Sequence, residues 1–370
     1  MKIAIIGQKG IPSKGGGVEK HVEDLALSLA KNGQEVLVYN RKNYNKNKSI
    51  NNTQIEIISL PSLNNKYLDA IGHTFISIFH LTFKKVDIIH VHSIGPGFLV
   101  WLIKLLNPKT PVVFTFHCQD YYHQKWNSFA RWFLKTGEKI ANKLADEVIV
   151  ISKPLKIYAE NKYKKQVNYI PNCVNLPEKK EANIIKEKWS LEKNSYITTI
   201  SRLVKHKGIH YLIKAFKQLE TNKKLVIVGG SSYTNDYVNH LHELAAGQDN
   251  IIFTGSLSGD ALKEIFSNAL IFVQPSEEEG LSIGLLEAMS YQNACLVSDI
   301  EANAQVVSDA GKTFTSKSVE DLKHKLKLMI DNSEETENLK EKAYQRIKDS
   351  FLWDKNIEKI IKVYLKAKNK

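Results

Sequence analysis

This sequence of 370 residues has few cysteines and no long apolar run, and each absence excludes a class of protein. Cys118, Cys173 and Cys295 lie far apart, and neither a Cys-x-x-Cys pair nor a histidine cluster has the spacing of metal ligands. That pattern fits a reducing compartment and argues against structural zinc. No stretch reaches the roughly 18 apolar residues of a membrane span. Because the first residues already follow a strand pattern, we expect no signal peptide. We therefore expect a cytoplasmic location.

Acidic residues are scarce only in the first half of the chain. Residues 1–190 hold 28 Lys and Arg against 15 Asp and Glu, whereas residues 191–370 hold 24 of each. The net charge of +13 therefore belongs to the first half. Two interpretations are open: a solvated lysine-rich surface, or a domain that faces nucleic acid, lipid headgroups or a phosphorylated acceptor.

Strand and helix patterns alternate in two series, as in βαβ proteins with a parallel sheet. The strands are predicted at residues 3–6, 36–39, 55–60, 86–92, 112–117, 147–152, 168–171, 196–201, 224–228, 250–254, 270–273 and 295–299. A polar stretch, 176–194, predicts a linker between an N-terminal domain (1–175) and a C-terminal domain (195–351). The helical pattern of 352–370 is expected to pack back on the first domain. The fold class is α/β, with two Rossmann-like, doubly wound parallel-sheet domains facing across a cleft.

The stretch "IIGQKGIPSKGGGVEKHVEDL" places five glycines between the first strand and a helix. Such a loop presents backbone N–H groups at a helix N-terminus and is suited to an anion. A nicotinamide cofactor would require G-x-G-x-x-G and an acidic residue after the second strand. Here Gly7 and Gly10 are spaced G-x-x-G and the second strand ends in Asn40, so the sequence argues against a Rossmann oxidoreductase.

The second half carries the denser signal, "PSEEEGLSIGLLEAMSY" at 275–291. Glu279 and Glu287 flank a helix start at which the backbone N–H groups of Gly280, Leu281 and Ser282 are expected to bind an anion. Carboxylates beside phosphates would repel them unless they bind hydroxyl groups, as a sugar nucleotide would allow. In "ISRLVKHKG", Arg202 ends a strand and Lys207 precedes a helix, where both could hold a diphosphate.

These three stretches and "IPNCVN" at 170–175, in their order along the chain, resemble the retaining glycosyltransferases of family 4, which have the GT-B fold. The resemblance covers essentially the whole chain. It implies that Arg202 and Lys207 grip the donor diphosphate and stabilise the leaving nucleoside diphosphate. It implies further that Glu279 binds hydroxyls of the transferred sugar and that Glu287 binds the ribose.

The same resemblance assigns residues of the first domain. Gly16 and Gly17 are expected to approach the donor diphosphate. His117, in "VVFTFHCQD", is expected to contact the donor sugar near the reaction centre, so that the catalytic residues are Glu279, His117, Arg202 and Lys207. His90 and His92 are expected to line the cleft. The sequence departs from many relatives at Gln292-Asn293, where they carry Gly-x-Pro.

We expect neither a metal nor a cofactor, because no two aspartates form an Asp-x-Asp motif and positive side chains can neutralise the leaving group instead. The resemblance implies that the donor is a nucleotide sugar of the UDP or GDP type. One alternative is a GT-B sugar-nucleotide epimerase, which would need acid/base carboxylates from the first domain. Another is a basic nucleic-acid-binding protein, but the scattered lysines and the lack of a binding motif argue against a nucleic acid partner.

Two segments of the first domain combine apolar residues with cations, "FISIFHLTFKK" at 75–85 and "QKWNSFARWFLKTGEKIANK" at 124–143. The second is expected to place its aromatics on one helical face and its cations on the flanks: Trp126, Phe129, Trp132 and Phe133, with Lys125, Arg131, Lys135, Lys139 and Lys143. An interfacial helix on anionic lipid and a core helix both fit this pattern. The first interpretation makes the protein a peripheral membrane enzyme that extends a lipid-linked saccharide for a cell-surface polysaccharide or glycoconjugate.

Overall fold

The computed structural model describes residues 1–44, 50–63, 69–122, 126–232 and 234–370. The chain forms two compact units, of which the first comprises residues 1–173 and 353–370 and the second residues 174–352. The chain passes from one unit to the other after residue 173 and again after residue 352, and these two points are adjacent. Val174 forms a parallel bridge with Leu352, and the Val174 N–H donates to the Phe351 carbonyl at 2.9 Å.

The first unit is built on a seven-stranded sheet in which every pairing is parallel, with the order β3-β2-β1-β4-β5-β6-β7. The strands are β1 (Lys2–Ile6), β2 (Glu35–Arg41), β3 (Ile55–Leu60), β4 (Ile88–His92), β5 (Val112–Phe116), β6 (Glu147–Val150) and β7 (Asn168–Tyr169). The central strands are buried along nearly their whole length and are mostly apolar apart from His90 and His92 of β4, as expected for a sheet covered on both faces.

The α-helices found in the described parts of the connections are α1 (Gly17–Lys31), α2 (Asp69–Leu81), α3 (Ile94–Gly97), α4 (Val100–Leu106), α5 (Ser128–Leu144) and α6 (Lys153–Tyr163). Helix α4 packs against both α2 and α5, so these three helices form a continuous surface of the unit. Asn127 caps α5 by accepting a hydrogen bond from the Ala130 N–H at 2.9 Å.

The second unit repeats the architecture with six parallel strands in the order β10-β9-β8-β11-β12-β13. Its strands are β8 (Tyr196–Ile200), β9 (Lys224–Val228), β10 (Ile251–Gly255), β11 (Ile271–Gln274), β12 (Ala294–Ser298) and β13 (Lys312–Phe314). Its helices are α7 (Ile184–Trp189), α8 (Ile209–Phe216), α9 (Asn235–Ala245), α10 (Gly259–Asn268), α11 (Ile283–Ser290), α12 (Glu301–Val307), α13 (Val319–Asp331) and α14 (Ser333–Ser350). Two doubly wound parallel-sheet domains are therefore present, which confirms the predicted fold class.

The segment 176–194, which the sequence predicts as a linker, packs into the second unit. It contains α7, and Ile185 and Leu191 are fully buried within the core of that unit. The Glu264 carboxylate of α10 accepts hydrogen bonds from the backbone N–H groups of Asn183 and Ile185, both at 3.0 Å.

The last helix, α15 (Trp353–Lys368), belongs to the first unit and packs against α1. Its side chains Trp353, Ile357, Ile360 and Tyr364 are at most 2% exposed and join the core that contains Val22 of α1. Because burial of one such side chain contributes about 1.5–3 kcal/mol, α15 is an integral part of this core. Among the described residues, no helix has both the length and the apolarity to cross a membrane.

Candidate functional site

The chain order of the second sheet reverses between β8 and β11, which are neighbouring strands. In open α/β sheets, ligands bind beyond the carboxyl ends of the strands at such a reversal. Arg202 and Lys207 follow β8, and Glu279 follows β11. The structure therefore brings three of the predicted site residues to the edge at which a ligand is expected.

Backbone contacts hold the two loops together at this edge. The Glu277 N–H donates to the His206 carbonyl at 2.8 Å. Gly208 has a φ of +69°, and a Cβ at this position would lie 1.9 Å from the Pro275 carbonyl oxygen. Only glycine permits so close an approach, so Gly208 sets the distance between the loop of Lys207 and the loop of Glu279.

Lys207 and Glu279 are bonded to each other. Nζ of Lys207 lies 2.5 Å from Oε1 of Glu279, and the hydroxyl of Ser276 donates to the same oxygen at 2.7 Å. Their side chains are only 16% and 10% exposed. Both residues are predicted to bind the donor, but the pairing between them has no sequence signal because 72 residues separate them.

Arg202 differs from Lys207 in being exposed. Within the part of the chain that the structure describes, its guanidinium makes no hydrogen bond or ion pair. A guanidinium with its five N–H donors uncommitted can bind two phosphate oxygens at once.

Helix α11 begins at the predicted anion site. Ser282 caps it by accepting from the Leu285 N–H at 3.3 Å and donates its own hydroxyl proton to Oε1 of Gln274 at 2.7 Å. The Ser282 side chain is thus committed to the protein, and Leu281 is buried. A ligand at this end of α11 would therefore meet the positive end of the helix dipole. Glu287 lies half-buried in the second turn of α11.

A buried polar chain that the sequence did not indicate braces the loop carrying Glu279. Gln274 donates to Oδ1 of Asn303 at 2.7 Å, and Asn303 donates to the hydroxyl of Ser298 at 3.0 Å. Ser298 in turn donates to the Ser276 carbonyl at 2.5 Å. These residues are at most 5% exposed, so the network fixes both ends of the loop between Gln274 and Ser282.

The glycine-rich loop of the first unit is pinned by Asn40. The side chain of this residue accepts from the Ile11 N–H at 3.0 Å and donates to the Ile11 carbonyl at 2.5 Å. Glu19 of α1 holds the loop as well, by accepting from the Lys9 N–H at 3.2 Å. Gly16, with a φ of +109°, precedes α1, and Gly17 is exposed at its first position, as an anion site at the helix N-terminus requires.

Four histidines gather beside this loop: His90 and His92 in β4, His117 just after β5 and His21 on α1. His117 lies 3.0 Å from His92, measured from Nε2 to Nδ1. The ring of His21 lies 5.1 Å from that of His117, and the ring of His90 lies 4.2 Å from that of His92. The sequence predicts a sugar contact for His117 and expects His90 and His92 to line a cleft, whereas both are fully buried. Their packing with His21 has no sequence signal, because the four residues come from three elements.

Burial keeps these imidazoles neutral. It lowers the pKa of His21 to about 4 and that of His90 to about 3. Burial, followed by the neighbouring histidines, also holds the pKa values of His92 and His117 well below the usual value. At neutral pH each ring therefore carries one N–H donor and one lone pair.

Among the residues that the structure describes, His21, His92 and His117 form a group that could hold a metal ion, because one nitrogen from each lies within 4.8 Å of the others. Their spacing in the sequence gives no metal signature. The separation of 3.0 Å between His92 and His117 is a hydrogen-bond distance, so these two nitrogens already share a proton.

The surface formed by α2, α4 and α5, here called the aromatic face, exposes large apolar side chains. They include Phe75 and Phe79 of α2, Phe83 just after it, Trp101 and Leu105 of α4, and Phe129 and Trp132 of α5. Phe129 and Trp132 are 71% and 58% exposed, so the core-helix interpretation is wrong for them. Phe133, by contrast, is half-buried with its ring 4.4 Å from that of Phe98.

The aromatic face is flanked by exposed Lys and Arg side chains, and the acidic residues of its three helices are paired or buried. Arg131, Lys135, Lys139 and Lys143 are all exposed along α5. The acids of the three helices are Asp69, which pairs with Arg41 at 2.5 Å, and Glu138, which is fully buried. Trp126 precedes α5 rather than belonging to it, and Lys125 lies outside the described residues.

Two family descriptions match the chain in adjacent segments. Residues 15–178 match Glycosyltransferase Family 4, and residues 181–346 match Glycosyl transferases group 1. Together the two segments cover nearly the whole chain and fall in the first and the second unit.

Individual relatives agree with this assignment. An uncharacterized glycosyltransferase of Methanocaldococcus jannaschii is 27% identical over 329 residues, which cover 83% of each chain. An N,N'-diacetylbacillosaminyl-diphospho-undecaprenol alpha-1,3-N-acetylgalactosaminyltransferase of Campylobacter jejuni is 29% identical over 179 residues, 47% of this chain and 46% of that protein.

Solved structures share the fold along the whole length. Sucrose-phosphate synthase of Thermosynechococcus elongatus superposes with a TM-score of 0.84 at 21% identity, covering 98% of each chain. HepE of Anabaena, in complex with UDP and glucose, superposes with a TM-score of 0.81 at 17% identity, again over 98% of each chain. At these identities the similarity establishes the fold.

Proposed function

The chain belongs to glycosyltransferase family 4 and is a glycosyltransferase of the GT-B fold, and we propose that it extends a lipid-linked saccharide. In this proposal it moves a sugar, with retention of anomeric configuration, from a UDP- or GDP-sugar to the acceptor. The product serves the biosynthesis of a cell-surface polysaccharide or glycoconjugate.

The proposal that the chain uses a nucleotide-sugar donor rests on the arrangement of Arg202, Lys207 and Glu279, which lie where the strand order of the second sheet reverses. Two cations and a helix N-terminus suit a diphosphate, and a carboxylate beside them suits sugar hydroxyls. HepE, which shares the fold, has been crystallised with UDP and glucose, and this supports a nucleotide sugar as the donor.

The proposed chemistry needs little beyond charge and position. When the bond between the sugar and the diphosphate breaks, negative charge develops on the leaving phosphate. Arg202, Lys207 and the N-terminus of α11 then stabilise that charge in place, without reorganising. Because these groups supply the positive charge, the proposal includes neither a metal nor a cofactor. Glu279 orients the transferred sugar, Glu287 holds the ribose, and His117 contacts the sugar.

The acceptor part rests on the aromatic face. Exposed aromatics accompanied by cations and lacking exposed acids fit an anionic lipid surface, at which a lipid-linked saccharide would be presented. The name of the Campylobacter relative describes an acceptor carried on diphospho-undecaprenol, which supports an acceptor of the same kind here. We therefore propose a peripheral location on the inner face of the cell membrane.

The donor is tested by thermal shift against UDP, GDP, ADP and CDP. A ligand at 100 times its Kd stabilises the folded chain by about 2.7 kcal/mol, so the correct nucleotide raises Tm. The Arg202→Ala variant should lose this shift, whereas Lys205→Ala, an exposed cation in the same loop, should keep it. The proposed site is contradicted if none of the four nucleoside diphosphates raises Tm, or if the rise in Tm persists in Arg202→Ala. NMR of the product made from the matching nucleotide sugar then reports its anomeric configuration.

The membrane part is tested by sedimentation with vesicles of neutral lipid, with and without anionic lipid. Binding should require anionic lipid and fall with salt. Since each cation near the surface contributes about 1 kcal/mol, changing Lys135, Lys139 and Lys143 to Gln should weaken binding about 100-fold. The matched control changes three exposed lysines of the second unit, Lys214, Lys327 and Lys342. Equal losses in both triple variants would indicate that net charge, and not the aromatic face, governs binding.

A further inference from the structure

His92 and His117 join two neighbouring strands of the first unit. His92 ends β4 and His117 follows β5, and the parallel register places His92 opposite Thr115. Nδ1 of His92 lies 3.0 Å from Nε2 of His117, and the residues are only 0% and 5% exposed. A hydrogen bond in so buried a position fixes the orientation of both rings.

His92 is itself held by rigid neighbours. The ring of His90 lies 4.2 Å from it, and both nitrogens of His90 are engaged, with Tyr364 Oη at 2.8 Å and Thr115 Oγ1 at 2.7 Å. From the other side the chain turns at Gly7, where a Cβ would lie 2.3 Å from the His92 carbonyl oxygen. The backbone and the ring of His92 therefore have little room to move.

The surroundings of His92 also select its tautomer. A neutral pair shares a single proton in the hydrogen bond, so one ring donates and the other accepts. Among the described residues, Nε2 of His92 is buried without a hydrogen-bond partner. Among backbone groups, a buried N–H without an acceptor is rarer than a carbonyl with an unused lone pair, and a ring N–H has the same need for an acceptor. The proton of His92 therefore belongs on Nδ1, which donates to Nε2 of His117.

We propose that His92 is a positioning residue for sugar transfer, because it holds His117 as the tautomer that carries its proton on Nδ1. His117 then presents an N–H donor to an oxygen atom of the bound saccharide. This inference rests on the proposed function, in which His117 contacts the sugar. It adds that His92 orients His117 and that His117 is the hydrogen-bond donor in the contact with the sugar. Nothing in the sequence pattern assigns this role to His92.

The tautomer can be measured without any substrate. In protein labelled with ¹⁵N at histidine, long-range ¹H–¹⁵N correlation distinguishes protonated from unprotonated ring nitrogens. The His117 signals, identified by their loss in His117→Gln, should show a protonated Nδ1 and an unprotonated Nε2. In His92→Leu the signals should change to a mixture of tautomers. A protonated Nε2 of His117 in the wild-type protein overturns the inference, whatever the reaction proves to be.

Kinetics test the positioning role. His92→Leu removes the hydrogen bond and should lower kcat about tenfold while the KM for the donor stays within about twofold. His92→Asn keeps an N–H near the position of Nδ1 and should restore most of kcat. The double variant His92→Leu/His117→Ala should be no slower than His117→Ala alone, because the two residues act as a unit. His73→Leu, which removes another fully buried histidine of the same unit, is the matched control for packing.

The outcomes separate the two proposals. Full activity in His92→Leu together with a large loss in His117→Ala overturns the role of His92 and leaves the proposed function intact. Full activity in His117→Ala overturns both the contact of His117 with the sugar and the positioning role that depends on it. A loss in His73→Leu as large as that in His92→Leu would assign the effect to packing and also overturn the inference.

Discussion

The Nζ atom of Lys207 lies 2.5 Å from Oε1 of Glu279, so a cation assigned to the diphosphate and a carboxylate assigned to the sugar are bonded to each other. Arrival of a diphosphate would give Lys207 a second anionic partner. Glu279 would remain in position through the hydroxyl of Ser276, which donates to the same oxygen at 2.7 Å. In the proposed reaction the pair therefore keeps both groups oriented, and each has a partner of opposite charge at every stage.

Glu279→Ala should reduce kcat by at least about 100-fold, because it removes the hydroxyl contact of the sugar and leaves Lys207 without its carboxylate partner. Steady-state kinetics with the matching donor measure the loss. Glu278→Ala removes an exposed carboxylate at the adjacent position and should leave kcat near that of the wild type. Comparable turnover in the two variants would exclude Glu279 from the site.

Arg202→Ala and Lys207→Ala should each cost about 2–4 kcal/mol of transition-state stabilisation, or about 30- to 1000-fold in kcat/KM. The physical reason is that each removes a preorganised positive group from the leaving diphosphate. Lys205→Ala is the control for net charge in the same loop. If the losses in all three variants are equal, the effect comes from the general field of the loop and not from specific contacts.

Glu287→Ala should raise the KM for the donor with little change in kcat, because a ribose contact is made equally in the ground state and the transition state. The affinity for the free nucleoside diphosphate should fall in parallel, which calorimetry can measure. Glu301→Ala, an exposed carboxylate on α12, is the control. A drop in kcat at unchanged KM would assign Glu287 to the chemistry instead of the ribose.

Chelation by EDTA should leave turnover unchanged, because Arg202 and Lys207 supply the positive charge in the proposed reaction. The experiment also bears on His21, His92 and His117, whose nitrogens lie close enough to bind one ion. Inhibition by EDTA that is reversed by Mn²⁺ or Mg²⁺ would show that the donor requires a metal. Reversal by Zn²⁺ alone would point to the histidines, since imidazole is a preferred zinc ligand.

Acidification from pH 7 to pH 5 should destabilise the first unit. The pKa of His21 is lowered to about 4 and that of His90 to about 3 by burial, whereas the unfolded chain takes up these protons near pH 6.5. Below pH 6.5 the unfolded state therefore binds more protons, and stability falls with pH until the folded pKa is reached. At pH 5 the loss is on the order of 2 kcal/mol for each histidine.

Urea unfolding followed by tryptophan fluorescence measures this loss, since four of the five tryptophans lie in the first unit. His90→Gln should reduce the difference between pH 7 and pH 5, whereas His324→Gln, on the exposed surface of α13, should not. An unchanged pH dependence in His90→Gln would show that other groups cause it.

The regular spacing of apolar residues along strands and helices allows the fold to be predicted from the sequence. The predicted strands 55–60 and 224–228 coincide with β3 and β9, and the helix of 352–366 corresponds to α15. The short strand β13 escaped prediction because three residues carry too little pattern. Within the polar stretch 176–194, only scattered apolar residues mark what becomes buried, and the acceptor for the start of α7, Glu264, lies far along the chain.

Candidate site residues were predictable where a motif marks them and where strand ends meet. Arg202 and Lys207 lie with Glu279 at one sheet edge because parallel strands end together. The hydrogen bond of His92 with His117 and the brace of Gln274 with Asn303 were not predictable, since each joins residues 25 or more positions apart. Such contacts depend on strand register and side-chain rotamers, which composition and spacing do not determine.

The place of α15 in the chain has a consequence for biosynthesis. Trp353, Ile357 and Tyr364 of α15 cover the apolar surface of α1. During translation on the ribosome they can do so only after the whole second unit has been synthesised. At typical elongation rates of 5–20 residues per second, residues 174–352 take roughly 10 to 35 s. During that interval the apolar side chains of α1 that α15 covers in the folded protein lack this partner helix. The unit that is synthesised first is therefore the last to reach its native core.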